Sequence, residues 1–356
     1  MLDPAFATRL ALGAADLVRH QLLSGGRPFV VNHLVTVRCN LRCPFCYVSG
    51  PEQDAWNREH YPRRDELGTA ETRAFYRELV AEGFKLAVVL GGEPLLRDDL
   101  GELLGELRGK LLVNVFTNGL LLAERHELVR DASTVFVSLD APDAEHDRIR
   151  AHPGLFDRVI AGIEALRTRH PRVRLALNAT ITRASAARID DLLALARRLD
   201  APIGFQPPSF EGQFTVEGRP FAQSEAQGAD QGVVAHAFRR IRAAAERGDR
   251  VIGSAAFFSQ VIDDHVAYAC HYPRWVLGPV MPNGDVVACT EGEIMANVRR
   301  ASVASIVGSA AFRDNARAGL TCTTGCRDWG IFDLSAVFSR RFGAGDARRY
   351  YRAFVA

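Results

Sequence analysis

Cys39, Cys43 and Cys46 fall within eight residues, in the stretch CNLRCPFC. A thiolate is a soft metal ligand, and clustered thiols in a chain with no export signal point to metal rather than to disulfides. A closed zinc site wants four ligands, typically in C-x2-C pairs, and no His or fourth Cys lies beside these three. A [4Fe–4S] cube has four irons, each taking one outside ligand, so three thiolates leave one iron open to bind something else. Buried structural thiols, or three-quarters of a zinc site, are the competing readings. Cys270, Cys289, Cys322 and Cys326 complete the seven cysteines of the chain. Four is the number that closes a second cluster or a zinc site.

The elements that must hold these residues are readable from the apolar runs. Candidate strands cover 33–38, 85–90, 111–117, 134–139, 172–181 and 202–206, rich in Val and Leu and separated by helical stretches such as DELGTAETRAFYRELVAEG and FDRVIAGIEALRTRH. Such runs suit parallel strands buried on both faces. Six β/α units in series predict a partial (β/α)6 TIM-type barrel, whose chemistry sits at the C-terminal ends of its strands. The unusual residues obey that rule: Cys39 follows the first strand, GGEP (91–94) the second, TNG (117–119) the third and SLD (138–140) the fourth.

Beyond residue 206 the texture changes. Residues 209–232 hold few large aliphatics and read as a linker or mobile loop, and a helix follows near 233–247. The segment VLGPVMPNGDVVACTE alternates around Asn283-Gly284, a hairpin signal. The expected organisation is an N-terminal helical extension (1–32), the barrel (33–208), a linker and helix (209–248) and a small C-terminal α+β module (249–356). The first 26 residues read as an amphipathic helix rather than a signal peptide, because charges interrupt their apolar positions. Hydrophobic residues make up 47% and charged residues 24%, the net charge is +2, and no run approaches a membrane span. The expectation is a cytoplasmic protein with neither nucleic acid nor membrane as partner.

CNLRCPFC, with C-x3-C-x2-C spacing, resembles the signature of the radical S-adenosylmethionine (SAM) superfamily. LGGEPLLRDDL, TNGLLL and VSLDAPDAEHDRIR resemble the family's following strand-end regions. The resemblance implies that the open iron is chelated by SAM and that one electron cleaves SAM to a 5′-deoxyadenosyl radical. It implies a reductant such as flavodoxin or ferredoxin. It assigns the turn Gly91, Gly92, Glu93 and Pro94 to the methionyl ammonium, the glycines letting backbone approach a ligand closely. Thr117, Ser138 and Asn178 are candidates for ribose or carboxylate contacts, and Arg183 for the carboxylate. Asn118 is equally good turn chemistry. Phe45 and Tyr47 are candidates for packing near the adenine.

The pattern C-x13-G-x4-C from Cys270 to Cys289 resembles the opening of SPASM and twitch modules, which hold auxiliary [4Fe–4S] clusters. Cys322-x3-Cys326 departs from the family's C-x2-C by one residue. The expected reaction is hydrogen abstraction from a small-molecule substrate of sugar, nucleoside or natural-product type. A closed second cluster would then assist a net oxidation. About 32 residues precede the first strand, too few for a leading peptide-recognition domain. The alternatives are a peptide maturase, radical addition to an unsaturated substrate, and a non-catalytic electron carrier. Glu291, Glu293, His271 and Asp328 lie near the second cysteine set and read as surface or structural residues.

Overall fold

The apolar runs become strands in a computed structural model, which describes residues 27–50, 53–208, 214–216, 219–221, 228–264, 268–289, 293–322, 326, 328–339 and 341–354. β1 (Val30–Leu34), β2 (Leu86–Leu90), β3 (Leu112–Thr117), β4 (Thr134–Ser138), β5 (Arg174–Thr180) and β6 (Ile203–Gln206) lie side by side in chain order, each parallel to the next. Helices cover one face. Leu100, Leu103, Leu104 and Leu107 make a buried stripe along the helix Leu100–Leu107, and Val159, Ile163 and Leu166 do so along Leu155–Arg169.

Burial alternates along the strands rather than being complete on both faces. In β3, Val113, Val115 and Thr117 are buried under the helices, while Leu112, Asn114 and Phe116 are half-buried on the concave face. The other strands place Asn32, Ser138, Asn178, Thr180 and Gln206 on that concave side. A cavity-bearing barrel needs this polarity, so its inner rows are less apolar than those of a flat buried sheet. Phe116 and Phe136 stack at 4.4 Å there, and Trp329 stacks on Phe136 from the C-terminal part of the chain.

The parallel array is larger than six strands. β7 (Phe214–Val216) and β8 (Arg219–Phe221) pair antiparallel within the stretch expected to be linker, while most of that stretch lies outside the described residues. β9 (Val251–Ile252) adds to β6, and β10 (Val276–Val280) adds to β1, both parallel. β11 (Asp285–Val287) and β12 (Ile294–Asn297) continue antiparallel, giving an open ten-stranded sheet. The expected hairpin is therefore β10–β11. Its turn holds Gly284 at φ +90, a conformation that favours glycine. The predicted helix near 233–247 is Gln231–Arg247, capped by Asp230 and ended by Gly248 at φ +104. The N-terminal helix expected over 1–26 lies outside the described residues. Among the described residues no helix is long and apolar enough to cross a membrane.

Candidate active site

The ladder of β1 stops at Leu34, not at residue 38, so Cys39 does not directly follow the strand. Residues 35–38 run on alongside the turn after β2: Val35 N donates to Leu90 O at 2.9 Å, Gly92 N to Thr36 O at 2.8 Å and Glu93 N to Arg38 O at 2.8 Å. This gives the two glycines a structural reason besides the expected approach to a ligand. A Cβ on Gly91 would stand 2.3 Å from Thr36 O, and one on Gly92 2.2 Å from Arg38 O. They admit the chain's own backbone at Thr36 and Arg38. Gly92→Ala should therefore cost about 3 kcal/mol or more of folding stability, read as a lowered urea midpoint; an unchanged midpoint would remove this account.

The cysteine loop is drawn in by its sulfurs. Leu41 N donates to Cys39 Sγ at 3.4 Å, and Val48 N, Ser49 N and Ser49 Oγ donate to Cys46 Sγ at 3.4, 3.3 and 3.4 Å. Donors aimed at sulfur suit thiolates bound to metal and stabilise their charge. Burial pushes the Cys43 thiol up to about 12, so without a cation the loop favours neutral thiols. No three of the described cysteine sulfurs lie within 4.8 Å of one another. Tetrahedral zinc, with Zn–S of about 2.3 Å, needs sulfurs about 3.8 Å apart. Three thiols with no fourth ligand beside them fit a cube with one open iron better than a closed zinc site.

Glu93 joins three of the strand ends. Its fully buried carboxylate accepts from Leu95 N at 3.0 Å, Thr117 Oγ1 at 2.8 Å and Asn118 N at 2.7 Å. Burial nevertheless pushes it up to about 7, the hydrogen bonds offsetting only part of the desolvation. Thr117 points to the helix side, donates to Glu93 and accepts from Gly119 N at 3.0 Å, so its hydroxyl is held within the turn. Asn118 serves its turn and also reaches the cysteine loop. Its Oδ1 accepts from Leu120 N at 3.0 Å, as turn chemistry, and its amide donates to Asn40 Oδ1 at 2.8 Å and lies 3.6 Å from Cys39 Sγ. Pro94 starts a 3₁₀ turn capped by Glu93.

Ser138 and Asn178 are paired across β4 and β5 on the concave face. Asn178 Oδ1 is buried without a hydrogen-bond partner, an acceptor aimed into the barrel where the resemblance places SAM. Arg183 sits at the rim, 66% exposed, with Asp230 at 3.6 Å. Phe45 is buried, with the Arg150 guanidinium 5.8 Å above its ring. Tyr47 is 38% exposed, but Cys46 and Asp328 are near its hydroxyl and burial raises its phenol well above the usual range.

Sequence reasoning missed the charge pair under the loop. Asp140, fully buried, accepts from Arg150 Nε at 2.6 Å and Nη2 at 3.3 Å, and from Thr180 N at 2.7 Å. His146 Nδ1 accepts from Asp140 N at 3.1 Å. Arg150's charge lowers the Cys43 thiol against the burial that raises it. Both residues stand in the quoted VSLDAPDAEHDRIR, but a spacing of ten carries no periodic signal.

The second set gathers near β10 and β11. Cys289, Cys322 and buried Cys270 pack in one apolar cluster with Tyr272 and Trp275. Burial raises Cys326, and the charges of Cys289, Cys270 and Cys322 each raise it further, so the four thiols share one locality. Cys270 N donates to Gly319 O at 3.0 Å and Cys289 N to Asn315 Oδ1 at 3.2 Å. Of the nearby acids, Asp328 caps the helix Trp329–Phe338 by accepting from Ile331 N at 3.0 Å. Glu293 is exposed, His271 is half-buried, and Glu291 lies outside the described residues.

Residues 34–183 match the family model described as the Radical SAM superfamily. The AdoMet-dependent heme synthase of Oleidesulfovibrio alaskensis is 33% identical over 172 residues, 47% of this chain and 42% of its own. GTP 3′,8-cyclase 1 of Mycobacterium tuberculosis is 33% identical over 181 residues, 47% of this chain and 48% of its own. The chain spans about half the length of the curated relatives it matches. SuiB of Streptococcus suis, solved with its precursor peptide SuiA, shares the fold at TM-score 0.62 and 15% identity, over 85% of this chain and 69% of that one.

Proposed function

Residues 34–183 belong to the radical SAM superfamily, and from that premise we propose that the protein reductively cleaves SAM and abstracts hydrogen from a small-molecule substrate in a net oxidation. The observation that carries this reading is the loop of Cys39, Cys43 and Cys46 at the C-terminal end of the sheet, tied through Asn118 to the turn that holds Glu93. Cys39, Cys43 and Cys46 would hold a [4Fe–4S] cluster there, which would supply the one-electron reduction that cleaves SAM. The chain's own part is to hold and orient. Three cysteines offer one thiolate too few for a cube, which leaves room for the amino and carboxylate groups of SAM. Glu93, deprotonated, favours an ammonium beside it, and Ser138 with the unpaired Asn178 Oδ1 offers polar contacts to a ribose. The stacked Phe116, Phe136 and Trp329 give the concave face an apolar patch that excludes water.

Cys270, Cys289, Cys322 and Cys326 are proposed to close an auxiliary [4Fe–4S] cluster that takes an electron from the substrate radical. Their burial and shared locality support it. The small-molecule reading draws on the relatives, a heme synthase and a GTP cyclase by name. SuiB, a SPASM-type fold neighbour with a bound peptide, keeps a peptide substrate as the second reading. Anaerobically reconstituted protein should hold about eight irons and, with a reductant, release free 5′-deoxyadenosine. With substrate, that nucleoside should form one for one with a product two hydrogens poorer, and should carry deuterium from the labelled carbon. Four irons with full activity would remove the second cluster. A product of unchanged mass would remove the oxidation, one bearing adenosine would indicate addition, and turnover of a peptide alone would favour the second reading.

A further inference from the structure

At the opposite end of the sheet from the cysteine loop, His126 and Glu127 begin the 3₁₀ turn His126–Val129 that precedes β4, and His170 caps the end of the helix Leu155–Arg169 before β5. None of the three has a part in the chemistry proposed above. His126 Nδ1 and His170 Nε2 are 3.0 Å apart, and Glu127 Oε1 lies 3.5 Å from each. The three atoms thus form a nearly equilateral triangle. A tetrahedral ion holding nitrogens and a carboxylate oxygen at about 2.0–2.2 Å sets its ligand atoms about 3.3–3.6 Å apart. Both Glu127 distances already stand at that spacing, and the two imidazole nitrogens, from segments 44 residues apart in the chain, are closer and would part slightly to admit an ion.

The surroundings fit as well. The imidazoles are 19% and 12% exposed, so packing holds them, while Glu127 is 61% exposed and leaves water access to a fourth position. The rings are tilted at 50° rather than stacked, and their facing nitrogens can share only one proton between two lone pairs. Arg130 Nη1 is 3.8 Å from the other carboxylate oxygen, Oε2, and leaves Oε1 turned to the imidazoles. Two imidazoles and one carboxylate suit zinc and its neighbours, whereas calcium and magnesium prefer oxygen alone.

We propose that His126, Glu127 and His170 form a binding site for a zinc-class divalent cation, with water as the fourth ligand, separate from the iron–sulfur ligands. The ion would staple the turn before β4 to the end of the helix before β5. The competing occupant is a proton, shared by the imidazoles and neutralised by Glu127. The test uses the cluster-loaded protein, prepared anaerobically so that iron already occupies its cysteines. After equilibration with micromolar zinc and dialysis, elemental analysis should find one zinc per chain in addition to iron. His126→Gln and His170→Gln should each weaken zinc binding by about 100-fold with iron content unchanged, the upper end of what even outer-shell losses cost. Glu127→Gln, on an exposed side chain that folding does not need, should weaken it by about tenfold. Zinc should also raise the unfolding temperature of the native protein and not that of the His variants. Absence of bound zinc would overturn the proposal and leave the proton as occupant. Equal zinc in native protein and variants would overturn it too, by placing the metal at the cysteines.

Discussion

Cys43→Ala is expected to lower reductive SAM cleavage by at least about a thousandfold, ~4 kcal/mol of barrier, while Cys289→Ala keeps a measurable part of it. Cys43 is the most buried of the first three cysteines, and its neighbour Phe45 packs beneath Arg150. With alanine there, two sulfurs remain for a cube that needs three, so nothing fixes the open position against Glu93 and Asn178. Cys289 stands apart. It follows β11, its backbone is anchored by Asn315, and the thiols whose charge it feels are Cys270 and Cys322. Its loss should break the coupling of cleavage to product and leave radical formation in place. Free 5′-deoxyadenosine measured by chromatography separates the two variants, and each should also lose about four irons. If Cys289→Ala folds, retains four irons and still loses cleavage as fully as Cys43→Ala, the division of labour between the two sets is wrong.

The parts of this site that were legible are those encoded locally. The apolar runs of β2 to β6 agree with the observed strands to within two residues at each end. The cysteine spacing, the GGEP turn and the Asn283-Gly284 hairpin are each complete within a short window of chain. The end of β1 is not legible locally because Val35 and Val37 are as apolar and β-branched as the strand before them. Their backbone, however, follows the Gly91–Gly92 turn instead of the ladder. That switch is decided by a glycine pair more than fifty residues away. The same holds for Asp140 and Arg150, and for His126 and His170, whose meetings depend on how a loop or helix folds back onto the sheet. The placement of β10 beside β1 was equally hidden, since no local pattern says which edge a late strand will join.

The buried charge pair should dominate folding. Arg150→Met is expected to cost about 3–5 kcal/mol, because it leaves Asp140 a fully buried carboxylate with one backbone donor, Thr180 N, in place of a forked guanidinium. Against a usual total of about 5–15 kcal/mol that is a large share of the protein's stability. Arg150→Lys should lie between, keeping the charge and losing the fork. In the double variant Asp140→Asn, Arg150→Met no carboxylate is stranded, so its cost should be less than the sum of the two single changes. Urea unfolding of the metal-free protein measures all four. The guanidinium has a second consequence, since it also draws down the Cys43 thiol. An iron–sulfur site built on three thiolates gathers negative charge, and Arg150 is a fixed cation beside it. The double variant loses Asp140's opposing charge along with that cation, but Arg150 is the larger of the two influences on Cys43, so it should still retain somewhat less iron after gel filtration than native protein and show a slightly more negative reduction potential for its first cluster. If Arg150→Met unfolds within about 1 kcal/mol of native protein, the pair is not the structural clamp described above. If the double variant holds iron at an unchanged potential, Arg150 acts on folding alone.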